Sequence, residues 1–261
     1  MKISVITPSV RPENLKIIAK CLMRQDFKEW EWLIISPKLA NLSFLPKMGL
    51  YAPSLTNPEG VGCFRLLADP EKREGDFYRL CGAWNRGFNE AKGELIISIQ
   101  DGIWFPPDML SRLWTHYQNN PKGLVTAIGH QYDQIDKLGK PTNLMWQDPR
   151  ARMDQGSFYE VAPSEMEFAV CSVPKQALIG CGGIDEEYDK GAAVGEKEMC
   201  FRLDKLGYKF YIDQTIEYRA IHHPRLTKDW DEKYKISSAI FIEHMRQLDE
   251  NQRTLNVGFV K

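Results

Sequence analysis

NRGFNEAKGELIISIQD, residues 85–101, decides the fold. It closes a helical stretch, FYRLCGAWNRGFNEAKG, at Gly93, a good helix stop, and then runs as a short Ile-rich strand, ELIISIQ, into one carboxylate, Asp101. Gly102, Trp104, Phe105 and two prolines follow, and the prolines open the next helix, PPDMLSRLWTHYQNN. Asp101 is therefore either a turn former beside a glycine or a ligand at the end of a buried strand.

Working outward, KISVITP reads as a first strand. Pro12 opens a helix in which Leu15, Ile18, Ala19 and Leu22 recur at helical spacing, and WEWLIIS, 30–36, reads as a second strand. Between Pro37 and Pro70 turn residues cluster, and the expectation is irregular chain with a strand at 62–68. Strands alternating with helices argue for a parallel sheet, whose ligands bind at the carboxyl ends of its strands. Thr7-Pro8-Ser9 and Gln100-Asp101 both fall there.

The second half reads differently. GLVTAIGH is a strand, a hairpin is expected around 131–140, and the Met- and Trp-bearing stretch 141–165 has no readable period. FAVCSVP is another strand, followed by a short helix, a glycine-rich acidic loop and the amphipathic helix EKEMCFRLDKLG with Met199, Leu203 and Leu206 on one side. YKFYI and EYRAIHH read as two strands, and 229–251 as a long helix with apolar residues at 236, 239, 240 and 245. That helix packs back on the domain or pairs with a second copy to form a homo-oligomer.

Composition narrows the function. The chain has 261 residues, 43% hydrophobic and 26% charged, as expected of a globular protein with a sizeable core. A net charge of −1 and a pI near 6.5 give no basic field, so nucleic acid is not an expected partner. No apolar run approaches the about 18 residues of a membrane span, and the N-terminal run is too short for a secretion signal. The six cysteines have no CxxC spacing and read as reduced core thiols, so the expected location is cytoplasmic.

Three groups could carry chemistry. Asp101 could ligate a divalent cation that bridges phosphate oxygens, because Mg²⁺ and Mn²⁺ take one or two protein carboxylates and complete their shells with phosphate and water. His222 and His223 end a late strand, and an imidazole suits Mn²⁺ better than Mg²⁺, although such a pair is also common as surface or packed imidazole. Glu196 and Glu198 begin a helix, where they could simply favour its dipole, or one could act as a general base. Gly182-Gly183 and Gly191 permit a loop that closes over a ligand or merely turns the chain, and Trp104 and Trp146 could stack on a ligand or pack.

The stretches TPSVRPENL, AWNRGFNEAKGELIISIQDG, GGIDEEYDKGAAVGEKEMCFRLDKLGYKFYI and AIHH succeed one another in an order that resembles the inverting glycosyltransferase family two, over residues 1 to about 223. The resemblance implies an α/β GT-A fold, a Rossmann-type mixed sheet flanked by helices, as a domain at 1–223 followed by a C-terminal helical extension at 224–261.

It also implies roles. Thr7, Pro8, Ser9 and Arg11 would touch the nucleotide, Asn85 would hold the helix–loop geometry or contact the nucleotide, and Gln100-Asp101-Gly102 takes the place of the metal motif. Asp101 and His222 would hold Mn²⁺ or Mg²⁺, with His223 the neighbouring candidate. Glu196 would be the catalytic base in place of the family's Asp, and Glu198 matches the second acidic position. The activity implied is transfer of a hexosyl or related sugar from a nucleotide-diphosphate sugar to a hydroxyl of a glycan, lipid-linked or other acceptor, metal-assisted and with inversion. Ser36-Pro37-Lys38 replaces the family's Asp-Asp-Gly-Ser, so no base is named, and the metal motif keeps one carboxylate. A degenerate glycan- or nucleotide-binding module is the alternative. A nucleotidyltransferase is a further one, although VITPSVRPEN lacks a Gly-rich phosphate loop.

Overall fold

A computed structural model describes residues 1–37, 44–47, 50–52, 62–69, 79–136, 140–222 and 229–261. The first half is the expected alternation: β1 (Ile3–Pro8), α1 (Leu15–Met23), β2 (Trp30–Ser36), a short α2 (Phe44–Lys47), β3 (Cys63–Ala68), α3 (Leu80–Glu90) and β4 (Leu95–Ile99). These four strands lie parallel in the order β3-β2-β1-β4. Strands β1, β2 and β4 are buried along their whole length, which is why they read as largely apolar runs without alternation, and the buried Glu31 of β2 is held by Ser4 and Arg65.

Side chains of successive strand residues point to opposite faces and build two cores. Ile3, Val5, Trp32, Ile34, Leu95 and Ile97 meet α1 and α4 (Met109–Asn119) on one side. Ile6, Leu33, Ile35 and Ile96 meet α3, α5 (Lys175–Cys181) and α6 (Gly195–Lys205) on the other. Full burial of each large side chain contributes about 1.5–3 kcal/mol. The helix expected to stop at Gly93 ends at Glu90, and Gly93 serves a close approach instead: a Cβ there would lie 2.5 Å from the Ser4 backbone nitrogen, so β1 and β4 approach only because it is glycine.

The second half makes the sheet mixed. Strand β9 (Val170–Pro174) inserts antiparallel beside β4, β6 (Gly123–Ile135) runs antiparallel to β9, and β10 (Lys209–Ile221) is parallel to β6. The two expected late strands are one, β10, with residues 214–216 looped out where its partner passes directly from Ala127 to Ile128. Asp213 closes that loop by accepting the Thr215 N–H at 2.8 Å and the Thr215 hydroxyl at 2.6 Å. The stretch without a readable period contains β7 (Pro141–Trp146), paired with β6, and β8 (Phe158–Glu160), paired with β10. A two-residue strand, β5 (Ile103–Trp104), pairs antiparallel with the end of β10.

The last helix, α7 (Trp230–Asp249), buries Ser237, His244 and Leu248, with Ile240 and Phe241 packed partly behind them. The face expected from apolar spacing is shifted: Ile236 is 44% exposed and Ala239 is exposed, because α7 meets the polar 186–190 turn as well as α6. The boundary expected at 223/224 lies outside the described residues, and beyond it the chain packs on the domain. All six cysteines are buried and free. No described helix is long and apolar enough to cross a membrane.

Candidate active site

The carboxyl ends of β1 and β4 bring Ser9, Arg11 and Asp101 together. Ser9 donates its hydroxyl to Asp101 Oδ2 at 2.8 Å and receives the Arg11 N–H on Oγ at 3.1 Å. The Arg11 guanidinium stands 3.8 Å from Asp101 Oδ1. Burial raises the Asp101 carboxyl above its usual range, opposed by the Ser9 hydroxyl and the Arg11 charge. Thr7 and Pro8 are buried in β1, and Thr7 Oγ1 accepts the Trp32 indole N–H at 3.0 Å, which fixes the floor of this corner. The Gln100 side chain is exposed and its N–H bonds to Ala169 O at 3.0 Å.

The end of β10, which leads to His222, is tied to the turn after Asp101. Arg219 pairs with Trp104 and Ala220 with Ile103, and Ile221 N then donates to Gly102 O at 3.0 Å. His222 is the next residue after this tie and Asp101 the residue before Gly102, 121 positions apart in sequence by their numbers. The His222 N–H bonds to Tyr132 O at 2.7 Å, and its side chain is exposed. His223 lies outside the described residues. One carboxylate and one imidazole make a donor set that Mn²⁺ accepts, provided a diphosphate and water complete the shell. The residues fit a cation held jointly with a ligand rather than one caged by protein.

Asn85 is fully committed within the protein. Its Nδ2 donates to Ile184 O at 2.7 Å and to Glu186 Oε1 at 3.1 Å, and its Oδ1 accepts Ile184 N–H at 2.9 Å. It ties α3 to the acidic 186–190 turn. Asp189 completes the tie by accepting the Cys81 and Gly82 N–H groups, both at 2.9 Å, at the start of α3. Nothing in the local sequence marks Asp189 as a cap for a helix 108 residues earlier.

Glu196 sits half-buried in the first turn of α6, with Gly195 packed among Cys81, Ile184 and Tyr188. Burial raises its carboxyl, the Glu167 charge adds to this, and its own backbone N–H and Lys197 oppose. Lys197 pairs with Glu167 at 3.3 Å, and Ala169, two residues on, accepts from Gln100, so segment 167–169 runs between the Glu196 and Asp101 positions. Ala193 and Val194, just before α6, both have left-handed backbone at φ +64° and +60°. Such a residue costs roughly 1–2 kcal/mol, and strain of this kind collects at functional sites. Glu198 faces the other way, wholly buried against Arg202 at 2.9 Å, and is structural.

Trp104 carries Lys140 and Arg219 over its ring at 5.1 Å and 5.7 Å, whereas Trp146 on β7 is 46% exposed. Among the described residues, Asp185, Glu187 and His244 gather three donors within 4.8 Å. Their atoms already have protein partners: Asp185 Oδ2 takes Arg253 at 2.7 Å, Asp185 Oδ1 caps Glu187 N, and His244 Nδ1 meets the Tyr188 hydroxyl at 3.1 Å. Glu187 in turn pairs with Lys190 at 2.8 Å and with His244 Nε2 at 3.4 Å. A cavity of about 200 Å³ between α3 and the C-terminal tail and one of about 320 Å³ between α4 and β10 border neither Asp101, His222 nor Glu196.

Residues 72–170 match the family model described as glycosyl transferase family 2, a span that includes α3, β4 and Asp101. No curated protein matches the chain. Among solved structures, that of GalNAc-T7 with UDP, GalNAc and Mn²⁺ aligns at a TM-score of 0.61 and 11% identity, over 94% of this chain and 50% of that one. The chain thus spans half the length of the structure it matches. The mixed sheet with its flanking helices has the GT-A fold, and the span similar to glycosyl transferase family 2 contains the strand end that bears Asp101.

Proposed function

We propose that the chain is a glycosyltransferase that moves a hexosyl or related sugar from a nucleotide-diphosphate sugar to an acceptor hydroxyl, with divalent-cation assistance and inversion. The observation that supports this reading is the meeting of Ser9, Arg11 and Asp101 at the carboxyl edge of a GT-A sheet, where the β10 end that precedes His222 is hydrogen-bonded to Gly102. Ligands bind at that edge in open α/β sheets.

In this reading Thr7, Pro8 and Ser9 form the floor under the nucleotide, Arg11 meets the diphosphate, and Asp101 and His222 hold Mn²⁺ or Mg²⁺. When bound, the cation supplies charge stabilisation for the departing diphosphate. Glu196 takes the proton of the acceptor hydroxyl as that oxygen attacks the anomeric carbon and the bond to diphosphate breaks on the opposite face. Its raised carboxyl suits a general base, since basicity grows with pKa as long as the group is ionised at working pH. Asn85 acts through the acidic turn rather than on the nucleotide.

The GalNAc-T7 structure contains UDP and Mn²⁺, which makes UDP the first nucleotide to try. The test is a thermal-shift panel of UDP, GDP, CDP and dTDP with their sugars, each with Mn²⁺ and with EDTA. A Mn²⁺-dependent rise with one nucleotide supports the reading and names the base. A flat panel contradicts it and favours a module that binds glycan without turnover.

A further inference from the structure

The chain beyond α7 folds back onto the acidic loop. Val257 N–H donates to Cys181 O at 3.1 Å, and Phe259 and Val260 N–H to Gly182 O at 2.8 Å and 3.0 Å. Asn256 Nδ2 donates to Ile179 O and Gly180 O, both at 3.0 Å, and Val260 is buried. Gly182 and Gly183 are shaped for this segment. Both have left-handed backbone, at φ +71° and +83°, and a Cβ on Gly182 would stand 2.3 Å from Gly258 N. On Gly183 it would stand 2.5 Å from Val260 Cγ2. The glycine pair that reads as a loop closing over a ligand is the seat of the tail.

Arg253, where this segment begins, makes a bridge. Its Nε donates to Glu198 Oε1 at 2.8 Å and its NH2 group to Asp185 Oδ2 at 2.7 Å, with 9% of the side chain exposed. Glu198 also accepts from the wholly buried Arg202 Nε at 2.9 Å, and Arg202 in turn donates to Cys181 O, Gly183 O and Leu255 O. Asp185, Glu198, Arg202 and Arg253 thus form a buried network of zero net charge.

The bridge spans the two ends of the strained loop. Asp185 opens the acidic turn that grips α3 through Glu186 and Asp189, and Glu198 lies two residues after Glu196. Between them the left-handed pair Ala193-Val194 leads directly into Gly195-Glu196. The rest of the loop rests on α7: Ala192 N–H donates to Lys233 O at 3.2 Å, and a Cβ on Gly191 would lie 2.2 Å from Ser237 Oγ. A strained backbone persists where its surroundings over-determine it, and here those surroundings are α7 and Arg253.

We propose that Arg253 is a positioning residue for the transfer reaction: it clamps the first turn of α6 to the acidic turn and so holds the Glu196 carboxylate at the acceptor oxygen. The inference rests on the reading of Glu196 as the base.

The test uses the full chain with UDP-GalNAc, UDP-glucose and GDP-mannose as probes and water as the acceptor, scored as release of nucleoside diphosphate. Water supplies the attacking oxygen, its proton goes to Glu196, and free sugar and diphosphate leave. Arg253→Ala should lower kcat at least tenfold with donor KM within twofold, and speed hydrogen exchange in 191–200 while 95–101 stays as in the wild type. Arg253→Lys should recover part of the rate. Because Arg253→Ala leaves this network with one excess negative charge, the charge-balanced pair Glu198→Gln with Arg253→Met is made beside it. That pair should melt near the wild type yet keep the low kcat.

Wild-type kcat in the balanced pair, or a loss of kcat that only tracks the fraction unfolded, overturns the proposal. A wild type that releases no diphosphate from any probe overturns the assignment of Glu196 as base, and with it the catalytic role given to Arg253. Exchange then separates the two failures, since a loop loosened by Arg253→Ala leaves the clamp in place without the chemistry.

Discussion

Ile221 donates its backbone N–H to the carbonyl of Gly102 at 3.0 Å, and this one bond joins the end of β10 to the turn after β4. Through it the strand end that precedes His222 is tied to the turn that follows Asp101. The candidate site depends on that placement more than on either residue alone.

Asp101 should be dispensable for folding and necessary for activity. Its carboxyl is raised by burial, so the ionised form is disfavoured in the fold and the charge costs stability above the folded pKa. Asp101→Asn should leave the melting temperature unchanged or slightly higher, while the transfer rate falls about a hundredfold or more. A scan of Tm beside an initial-rate assay checks both halves.

The acid limb of the rate profile should report Glu196. A base works ionised, and burial and then Glu167 raise its carboxyl, so kcat/KM should fall with acid at a pH above the ordinary carboxylate range. Glu167→Gln removes one raising charge, so the limb should move to lower pH with the plateau kept. A limb that stays in place would assign it to another group.

Asp213 should matter for stability and not for transfer. Burial alone would raise its carboxyl, but the hydrogen bonds from His116, at 2.7 Å, and from Thr215 outweigh it and hold the carboxyl low. A depressed carboxylate contributes stability that is present above its unfolded pKa and lost as pH falls through the folded pKa. Asp213→Asn should cost about 1.5–3 kcal/mol near neutral pH and less in acid, with kcat unchanged. Denaturant titrations at two pH values decide it.

Gly93→Ala should destabilise by about 1–3 kcal/mol, because the added Cβ meets backbone at Ser4 and must push β1 from β4. Gly180→Ala, in α5 with open space where a Cβ would go, should be neutral or slightly stabilising. Equal effects at the two positions would contradict the close approach.

The sequence made some of this legible and hid the rest for physical reasons. Strands β1, β2 and β4 are buried on both faces, so each is a largely apolar run with a Pro or Gly near one end. Strand β9 is just as buried, and its antiparallel insertion leaves no mark on a run such as VCSVP. The outer half of β6 and most of β7 carry exposed polar and apolar residues together, so no alternation survives. In the site, Ser9 and Asp101 can be placed at strand ends from pattern alone. His222 needs either the resemblance or the register. Arg253 and the Gly182-Gly183 seat join residues 55 or more apart, a pairing that propensity and spacing do not carry.

The most direct measurement is calorimetric titration of UDP-GalNAc into the wild type and into Asp101→Ala, each with Mn²⁺ and with EDTA. The account predicts binding to the wild type with Mn²⁺, and little or none with EDTA or after Asp101→Ala at an unchanged Tm. Equal affinity in all four titrations would contradict a cation–diphosphate site at Asp101.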